Sequence, residues 1–348
     1  MVEQGEFLME NTEKPRASRL FTVMGALIIC LLLGGMIVSA VSLSAISNQI
    51  NNVQNRLSTL EQQVTGNNTV APLNVLATFF PLYDFAKNVG GDKISLTLLV
   101  PMTVDVHDFE PTPSSIAEVA SASVLIYNGA DLEPWIPQVV NSAANPKLVL
   151  VNSSQGIPLL PVSPEFQKDN RTVDPHIWLD PVLAKQQVNN ILQGLIEADP
   201  ADQQYFTTNA QNYEAKLDYL NSQIVNATTN VKTRYFTTFH EAFAYFAQQY
   251  NLTQISITGP FEEEPTPSDI ENVINATNFY KLKYVGYESL ENPAIPQSIA
   301  TDTNATLILM NPIEGLTTSD QAAGKTYLIL MQEDLTNILL ALNNVGSS

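Results

Sequence analysis

The segment DPHIWLDP, residues 174–181, holds His176 between two Asp-Pro pairs, and a long helical pattern begins directly after it. Asp180 stands immediately before that pattern and is a candidate for the N-terminal cap of the helix. The chain has three histidines in all, and the other two are His107 and His240. The working hypothesis is that these three side chains meet in space as one metal site.

Strand and helix patterns alternate on both sides of this segment. Before it, strands and helices are predicted in turn at residues 74–78, 80–89, 94–100, 114–121 and 124–127. After it, two long helical patterns precede a second alternating series, at residues 182–198, 201–230, 235–239, 241–250, 254–257, 268–279, 284–287, 294–303, 306–310 and 322–342. Such alternation is typical of parallel sheets with helices on their faces. We therefore predict an α/β fold of two similar lobes with parallel sheets, bridged by one long helix.

The N-terminal part of the chain predicts a membrane anchor. Residues 20–46 are almost wholly apolar and uncharged, and a membrane core about 30 Å thick needs roughly 20 such residues. Basic residues within 14–19 precede this run, which predicts that the N-terminus lies inside and the bulk of the chain outside. Two alternatives remain open: a cleavable signal peptide ending at residues 38–40, and lipid modification of Cys30.

Residues 47–71 predict a helical stalk or linker. Five apolar residues repeat there at heptad-like spacings: Ile50, Val53, Leu57, Leu60 and Val64. Because the repeat is short, a coiled coil and a simple helical spacer are both consistent with it. The predicted organisation is a cytoplasmic tail (1–19), a transmembrane helix (20–46), the stalk (47–71), an N-terminal metal-binding lobe (72–179), a bridging helix (180–205) and a C-terminal metal-binding lobe (206–348).

Composition narrows the possible ligands. The net charge is -19, from 35 acidic and 16 basic residues, so the surface repels phosphate backbones and nucleic acid is not an expected partner. Cys30 is the only cysteine, which excludes an intrachain disulfide and a thiolate metal cluster. A transition metal would therefore have to use imidazole and oxygen ligands.

Each histidine falls where an α/β fold presents its ligands. In open α/β sheets, ligands bind beyond the carboxyl ends of the strands. His107 follows the second predicted strand, His240 follows residues 235–239 at an expected helix start, and two further candidates, Glu288 and Asn311, end strands of the second lobe. Neutral imidazole is a good ligand for zinc and similar ions. For each histidine taken alone, an ordinary surface or core role remains open.

Acidic residues flank two of the histidines in the sequence. Asp108 and Glu110 lie beside the first histidine, and Asp174 and Asp180 lie beside the second. Carboxylates in such positions orient metal-binding imidazoles by accepting a hydrogen bond from the second ring nitrogen. The alternative for these residues is solvated loop charge or helix capping.

Several segments, in order, resemble the metal-binding solute receptors of ABC importers, the zinc/manganese family. They cover residues 72–345, and the matching motifs are VDVHDFEPTPSSI (104–116), YNGADLEPW (127–135), DPHIWLDP (174–181), TTFHEAFAYFAQQYNL (237–252), EEPTPSDI (263–270) and YLILMQEDLTNILLAL (327–342). The resemblance implies two α/β lobes bridged by a rigid helix, with the metal held between them.

The resemblance also implies a set of ligands. The family's histidine positions fall on His107, His176 and His240, and histidine at the third position resembles the zinc-type members. The fourth family ligand, an aspartate, corresponds here to Asn311 in MNPIEGL, whose amide oxygen is a neutral and weaker donor. Water, Glu314 or Glu288 would then complete the site. Zn2+ is the expected ion, with Mn2+ or Fe2+ as alternatives.

The resemblance implies an extracytoplasmic receptor, not an enzyme, that captures a divalent metal ion and hands it to an ABC permease and its ATPase. Residues 20–46 would hold it at the cell membrane as a single-pass protein. Two rival functions are a surface attachment protein with a degenerate metal site, and a zinc hydrolase in which Glu241 or Glu288 acts as the base.

Overall fold

The computed structural model describes residues 49–50, 52–57, 71–163, 166–167, 171–261 and 264–346. The chain divides into two units, residues 1–71 and 72–348. In the first unit, residues 49–50 and 52–57 are helical, and their side chains are exposed. The expected tail and membrane anchor, and most of the stalk, lie outside the described residues. Within the described ranges, no helix is long and apolar enough to cross a membrane.

The second unit begins with a four-stranded parallel sheet in the order β2-β1-β3-β4. Its strands are β1 (Leu73–Ala77), β2 (Ile94–Leu98), β3 (Val124–Tyr127) and β4 (Val149–Asn152), and its connecting helices are α1 (Phe80–Gly90), α2 (Pro113–Ser121) and α3 (Ile136–Ala143). The sheet's buried residues, such as Val75 and Ile126, are fully enclosed. This confirms the predicted alternation and adds α3 and β4 to it.

Two helices follow the DPHIWLDP segment, which confirms the two helical patterns predicted at residues 182–198 and 201–230. The first, α4 (Pro181–Ala198), ends before a 3-10 turn at Pro200–Asp202, and α5 (Gln203–Thr228) then begins, so the break lies within the predicted bridging region 180–205. Asp180 caps α4 as predicted, because its side chain accepts a hydrogen bond from the Val182 N–H at 2.8 Å. The break has a local cause, since proline lacks an N–H and disfavours helix in the residue before it.

The C-terminal part contains two pairs of parallel strands. The pairs are β5 (Tyr235–Thr238) with β6 (Thr253–Ser256), and β7 (Tyr284–Tyr287) with β8 (Thr306–Leu309); the helices are α6 (Ala244–Gln249), α7 (Pro267–Phe279), α8 (Ala294–Thr303), α9 (Thr318–Ala322) and α10 (Tyr327–Asn343). Two expected helices differ from those observed. The helix predicted at residues 241–250 begins at Ala244. The helix predicted at residues 322–342 is interrupted around Gly324, which has a φ of +66°, so that α9 ends at Ala322 and α10 begins at Tyr327.

A side chain joins the two strand pairs. The Thr237 hydroxyl of β5 donates to the Tyr284 carbonyl at 3.1 Å and accepts from the Gly286 N–H of β7 at 3.0 Å. These bonds replace a backbone ladder between β5 and β7. Gly286 is required there, because a Cβ at this position would lie 2.3 Å from the Thr237 carbonyl oxygen. The contact aligns the ends of the strands that carry His240 and Glu288.

Replacement of Gly286 with alanine is expected to destabilise the fold. The new methyl group would meet the backbone of Thr237 and Thr238 in β5, so β5 and β7 must separate, at a cost of about 1–3 kcal/mol. Urea unfolding of Gly286→Ala against wild type measures this loss. Gly346→Ala is the matched control, since a Cβ there meets its nearest atom at an ordinary 3.4 Å. Equal stability of the two variants would contradict the packing argument.

Trp178 ties the DPHIWLDP segment to the C-terminal part of the fold. Its ring is fully buried against Phe79 at a centroid distance of 4.7 Å, and its indole N–H donates to the Pro312 carbonyl at 2.7 Å. The Tyr327 hydroxyl donates to the carbonyl of Trp178 itself. The loops that carry His176 and Glu314 are thereby held against each other.

Candidate metal centre

Four side chains from different loops converge on one point: His107, His176, His240 and Glu314. One ligand atom from each lies within 4.8 Å of all the others. The side chains of His176 and His240 are fully buried, and those of His107 and Glu314 are 3% and 5% exposed. The structure thus brings together the three histidines predicted from the sequence.

Four of the distances within this group are close to the edge of a small tetrahedron. The Glu314 Oε1 atom lies 3.3 Å, 3.0 Å and 3.5 Å from the Nε2 atoms of His107, His176 and His240. The two buried imidazoles of His176 and His240 approach each other at 3.0 Å between their Nε2 atoms. A tetrahedral zinc ion with bonds of about 2.0–2.1 Å has ligands roughly 3.3 Å apart. The spacing therefore fits a zinc-sized ion.

Each histidine lies in a loop, either after the carboxyl end of a strand or just before the start of a helix. His107 lies between β2 and α2, and His240 directly follows Phe239 at the end of β5. His176 precedes the turn Ile177–Leu179 that leads into α4, and Glu314 follows β8. This arrangement is the usual one for ligand sites in parallel α/β sheets.

Two buried carboxylates fix the orientation of the imidazoles. The Asp174 Oδ1 atom lies 2.7 Å from His176 Nδ1, and the two Glu288 oxygens lie 2.8 Å and 2.9 Å from His240 Nδ1. A carboxylate accepts, so each Nδ1 carries the proton and donates it. The Nε2 lone pairs of both rings then face the centre of the cluster. Asp174 lies in the orienting position that the sequence suggested for it, whereas Glu288, which the sequence offered as a possible ligand, contacts His240 from the outer side.

The centre of the cluster is consequently a set of acceptors. With both Nδ1 protons committed to carboxylates, the close Nε2 atoms of His176 and His240 have only lone pairs to offer each other, and Glu314 adds another acceptor oxygen. Lone pairs facing one another at about 3 Å repel unless a positive charge lies between them. A cation or bound protons must supply that charge.

The charge on Glu314 is set by its surroundings. Burial alone would raise the pKa of Glu314, but the rings of His107 and His240, when they carry bound protons, more than offset burial and hold that pKa well below its usual range. The carboxylate is therefore ionised at neutral pH. It supplies the negative charge that an amide at the fourth ligand position would lack.

The structure gives two hydrogen bonds to Asn311, the expected fourth ligand. Its side-chain oxygen accepts a hydrogen bond from the backbone N–H of Ile313 at 2.8 Å. Its backbone N–H donates to the Asp334 carboxylate at 2.9 Å. These bonds shape the tight turn in MNPIEGL, where Ile313 has a φ of +62°. The turn projects Glu314, three residues further on, toward the imidazoles. The structure thus places Glu314, one of the sequence alternatives, in the fourth position.

Asp105, which the sequence reading overlooked, supports the first histidine. The His107 N–H donates to Asp105 Oδ1 at 2.6 Å, whereas the predicted neighbour Asp108 is exposed. The same D-x-H turn recurs in DPHIWLDP, where the His176 N–H donates to Asp174 Oδ1 at 2.9 Å. Aspartate readily bonds the backbone two residues on, so the repeated spacing was the available signal.

Glu288→Gln is expected to weaken metal binding without removing a ligand. The amide keeps the shape of the side chain but loses the charge that holds the Nδ1 proton of His240, and such changes reduce metal affinity about 10- to 100-fold. Competition against a chelator of known zinc affinity measures the effect. Glu264→Gln, an exposed change in the same lobe, is the control. Equal affinity of the two variants would show that Glu288 does not orient the ring.

Comparisons with known proteins agree with this geometry. The family model for the periplasmic component A of the zinc-uptake complex matches residues 75–341. The high-affinity zinc uptake system protein ZnuA of Bacillus subtilis (strain 168) is 32% identical over 272 residues, which are 76% of this chain and 85% of that protein.

Two solved structures share the fold. Zn(II)-bound AdcA from Streptococcus pneumoniae is 27% identical with a TM-score of 0.70, over 80% of this chain and 59% of that one. The laminin-binding protein Lmb of Streptococcus agalactiae, described as bifunctional with adhesin and metal transporting activity, is 27% identical with a TM-score of 0.70, over 78% of this chain and 100% of that one. The chain belongs to the family of periplasmic zinc-uptake component A proteins.

Proposed function

We propose that this protein is a receptor that captures Zn2+ from the extracytoplasmic space through His107, His176, His240 and Glu314. The observation that carries the proposal is the buried cluster of inward-facing acceptors with tetrahedral spacing. Three imidazoles with one carboxylate favour zinc over Mn2+, which prefers oxygen ligands. Fe2+ binds such a set of ligands less tightly than Zn2+. Here the ion is cargo to be carried and released.

Release of that cargo requires a transport partner. An ABC permease with its ATPase is the partner expected for a receptor of this family, and the closed, preorganised site suits transfer of a single ion. A membrane anchor at residues 20–46 would keep the receptor near its permease and raise its effective concentration there. The support for this anchor is the apolar run itself. Fractionation of cells that express the full chain tests it, and recovery of the full chain as a soluble protein would contradict it.

Zinc binding is expected to weaken as the pH falls. An imidazole must lose its proton to bind a metal, and unperturbed histidine titrates at about pH 6.5. Above that pH the ligands are available, while below it protons compete with zinc at up to three rings. Calorimetric titration at pH 7.5 and pH 5 should therefore show a large loss of affinity at the lower pH. Equal affinity at both values would argue against a histidine site.

The hydrolase alternative is less well supported by the geometry. A catalytic zinc ion keeps one position open for water, but here the fourth position is taken by Glu314. The carboxylate of Glu288, one candidate base, is already committed to His240 Nδ1. The arrangement therefore favours binding over catalysis. Assaying zinc-loaded protein against ester and peptide substrates, with His176→Ala alongside, tests this directly.

The attachment alternative has one specific observation in its favour. The likeness to Lmb, whose structure is described as bifunctional, is compatible with adhesion in addition to metal carriage. The site need not be degenerate, since Glu314 supplies the negative charge that Asn311 lacks. An attachment role would thus accompany metal binding and not replace it. Binding of the purified chain to immobilised laminin, with an unrelated acidic protein as control, tests this role.

A further inference from the structure

Phe261 covers one of the metal-site histidines. Its ring is 4% exposed and meets the His107 ring edge to face, at a centroid distance of 6.2 Å. Phe261 comes from the segment between β6 and α7, whereas His107 comes from the loop after β2. The contact therefore joins the two strand systems directly at the edge of the ligand cluster.

Arg171 packs on the same phenyl ring. Its guanidinium carbon lies 4.1 Å from the centroid of the Phe261 ring, a distance typical of a cation–π contact. A neighbouring contact involves the same two segments, since a Cβ on Gly259 would lie 2.6 Å from the Cβ of Phe166. The residues that precede DPHIWLDP, Phe166 and Arg171, therefore pack against the segment after β6 beside the site.

From these contacts we infer that Phe261, held in place by Arg171, is a positioning residue that sets the rate at which zinc leaves the site. This inference rests on the proposed function. A ligand can dissociate stepwise only if water or another donor replaces it at the ion. The phenyl ring excludes water from one face of His107, and zinc release therefore requires Phe261 to part from His107.

The test is the rate of zinc release from the full chain. Zinc-loaded protein is mixed rapidly with an excess of a chromophoric chelator. Phe261→Ala should release zinc about tenfold faster, the scale of effect that residues outside the ligand set have on metal sites, and should speed association by a similar factor, because zinc enters and leaves past the same ring. Arg171→Gln should accelerate release less, and Phe261→Leu, which restores an apolar cover, should return the rate toward that of wild type.

The matched control is Phe279→Ala, because Phe279 is 78% exposed at the end of α7 and does not touch the ligands. Release from Phe261→Ala at the wild-type rate, or equal acceleration by the Phe279 variant, would overturn the inference. Faster release with an unchanged association rate would also overturn it, since that result is a loss of zinc affinity and not the removal of a cover.

A metal-free measurement separates this inference from the proposed function. Diethyl pyrocarbonate modifies accessible imidazoles, and peptide mass spectrometry locates the modified ring. In zinc-free protein, His107 should react faster in Phe261→Ala than in wild type, while the Phe279 variant stays at the wild-type rate. If wild type bound no zinc, the proposed function would fail and the role in zinc release with it. If zinc binding were intact but His107 labelling were the same in Phe261→Ala and wild type, the covering role of Phe261 would be overturned and the proposed function would stand.

Discussion

Replacing His176 with alanine is expected to reduce zinc affinity at least 100-fold. His176 lies at the middle of the cluster, with its Nε2 atom 3.0 Å from both Glu314 and His240. Zinc bound by four protein ligands gains about 10–16 kcal/mol, so the loss of one ligand costs about 3 kcal/mol, which corresponds to roughly 100-fold. Competition with a chelator of known affinity gives the value.

The fold of this variant needs its own check, because His176 also partners a buried carboxylate. Without the imidazole, Asp174 keeps its bond from the backbone N–H of residue 176 but loses the one at 2.7 Å. We expect a modest loss of stability of about 1–3 kcal/mol. Urea unfolding of the metal-free protein separates this loss from the loss of affinity. Gln193→Ala, an exposed change on α4, serves as control. Wild-type zinc affinity in a folded His176→Ala protein would refute the proposed site.

Replacing Glu314 with glutamine is expected to reduce zinc affinity about 100-fold as well, since a charged ligand becomes a weak neutral one. The substitution keeps the volume of the side chain, so the turn should survive. The cause is electrostatic: Glu314 is a buried anion whose pKa is held well below its usual range by the imidazoles despite its burial. Glu271→Gln, an exposed change on α7, is the matched control.

The contrast with Asn311→Asp decides which residue is the fourth ligand. Were Asn311 to bind the ion, aspartate there would restore the family's charged ligand and raise affinity strongly. Since the Asn311 oxygen serves the Ile313 N–H and Glu314 already meets the imidazoles, we expect Asn311→Asp to change affinity by less than about tenfold. Strong tightening by Asn311→Asp, with no loss in Glu314→Gln, would reverse the assignment.

The three histidines were predictable because two of them follow strand patterns and the third lies between two Asp-Pro pairs just before a long helix. His107 and His240 follow the strand patterns at residues 94–100 and 235–239, and parallel sheets place such loops at one edge. The sequence could not decide between Asn311 and Glu314. The two lie three positions apart. Which one faces the centre depends on the turn at Ile313 and on the bond from the Asn311 backbone N–H to Asp334, which is 23 positions away in sequence.

Short elements and long-range contacts account for the other differences. Helix α3 has eight residues and β4 has four, so neither gives a periodic signal long enough to distinguish it from loop. The bond from Thr237 to Gly286 joins strands separated by 49 positions. Phe261 and Arg171 meet only in the folded chain, and neither residue belongs to a metal-binding pattern in the sequence.

Anomalous diffraction at the zinc edge, from crystals of the zinc-loaded protein, tests most directly whether zinc binds at the cluster of three histidines and Glu314. We expect one strong peak, bounded by the Nε2 atoms of His107, His176 and His240 and by a Glu314 oxygen, at about 2.0–2.1 Å from each. A peak elsewhere, or one that lacks Glu314 and includes Asn311, would contradict it, as would crystals with no zinc at this cluster.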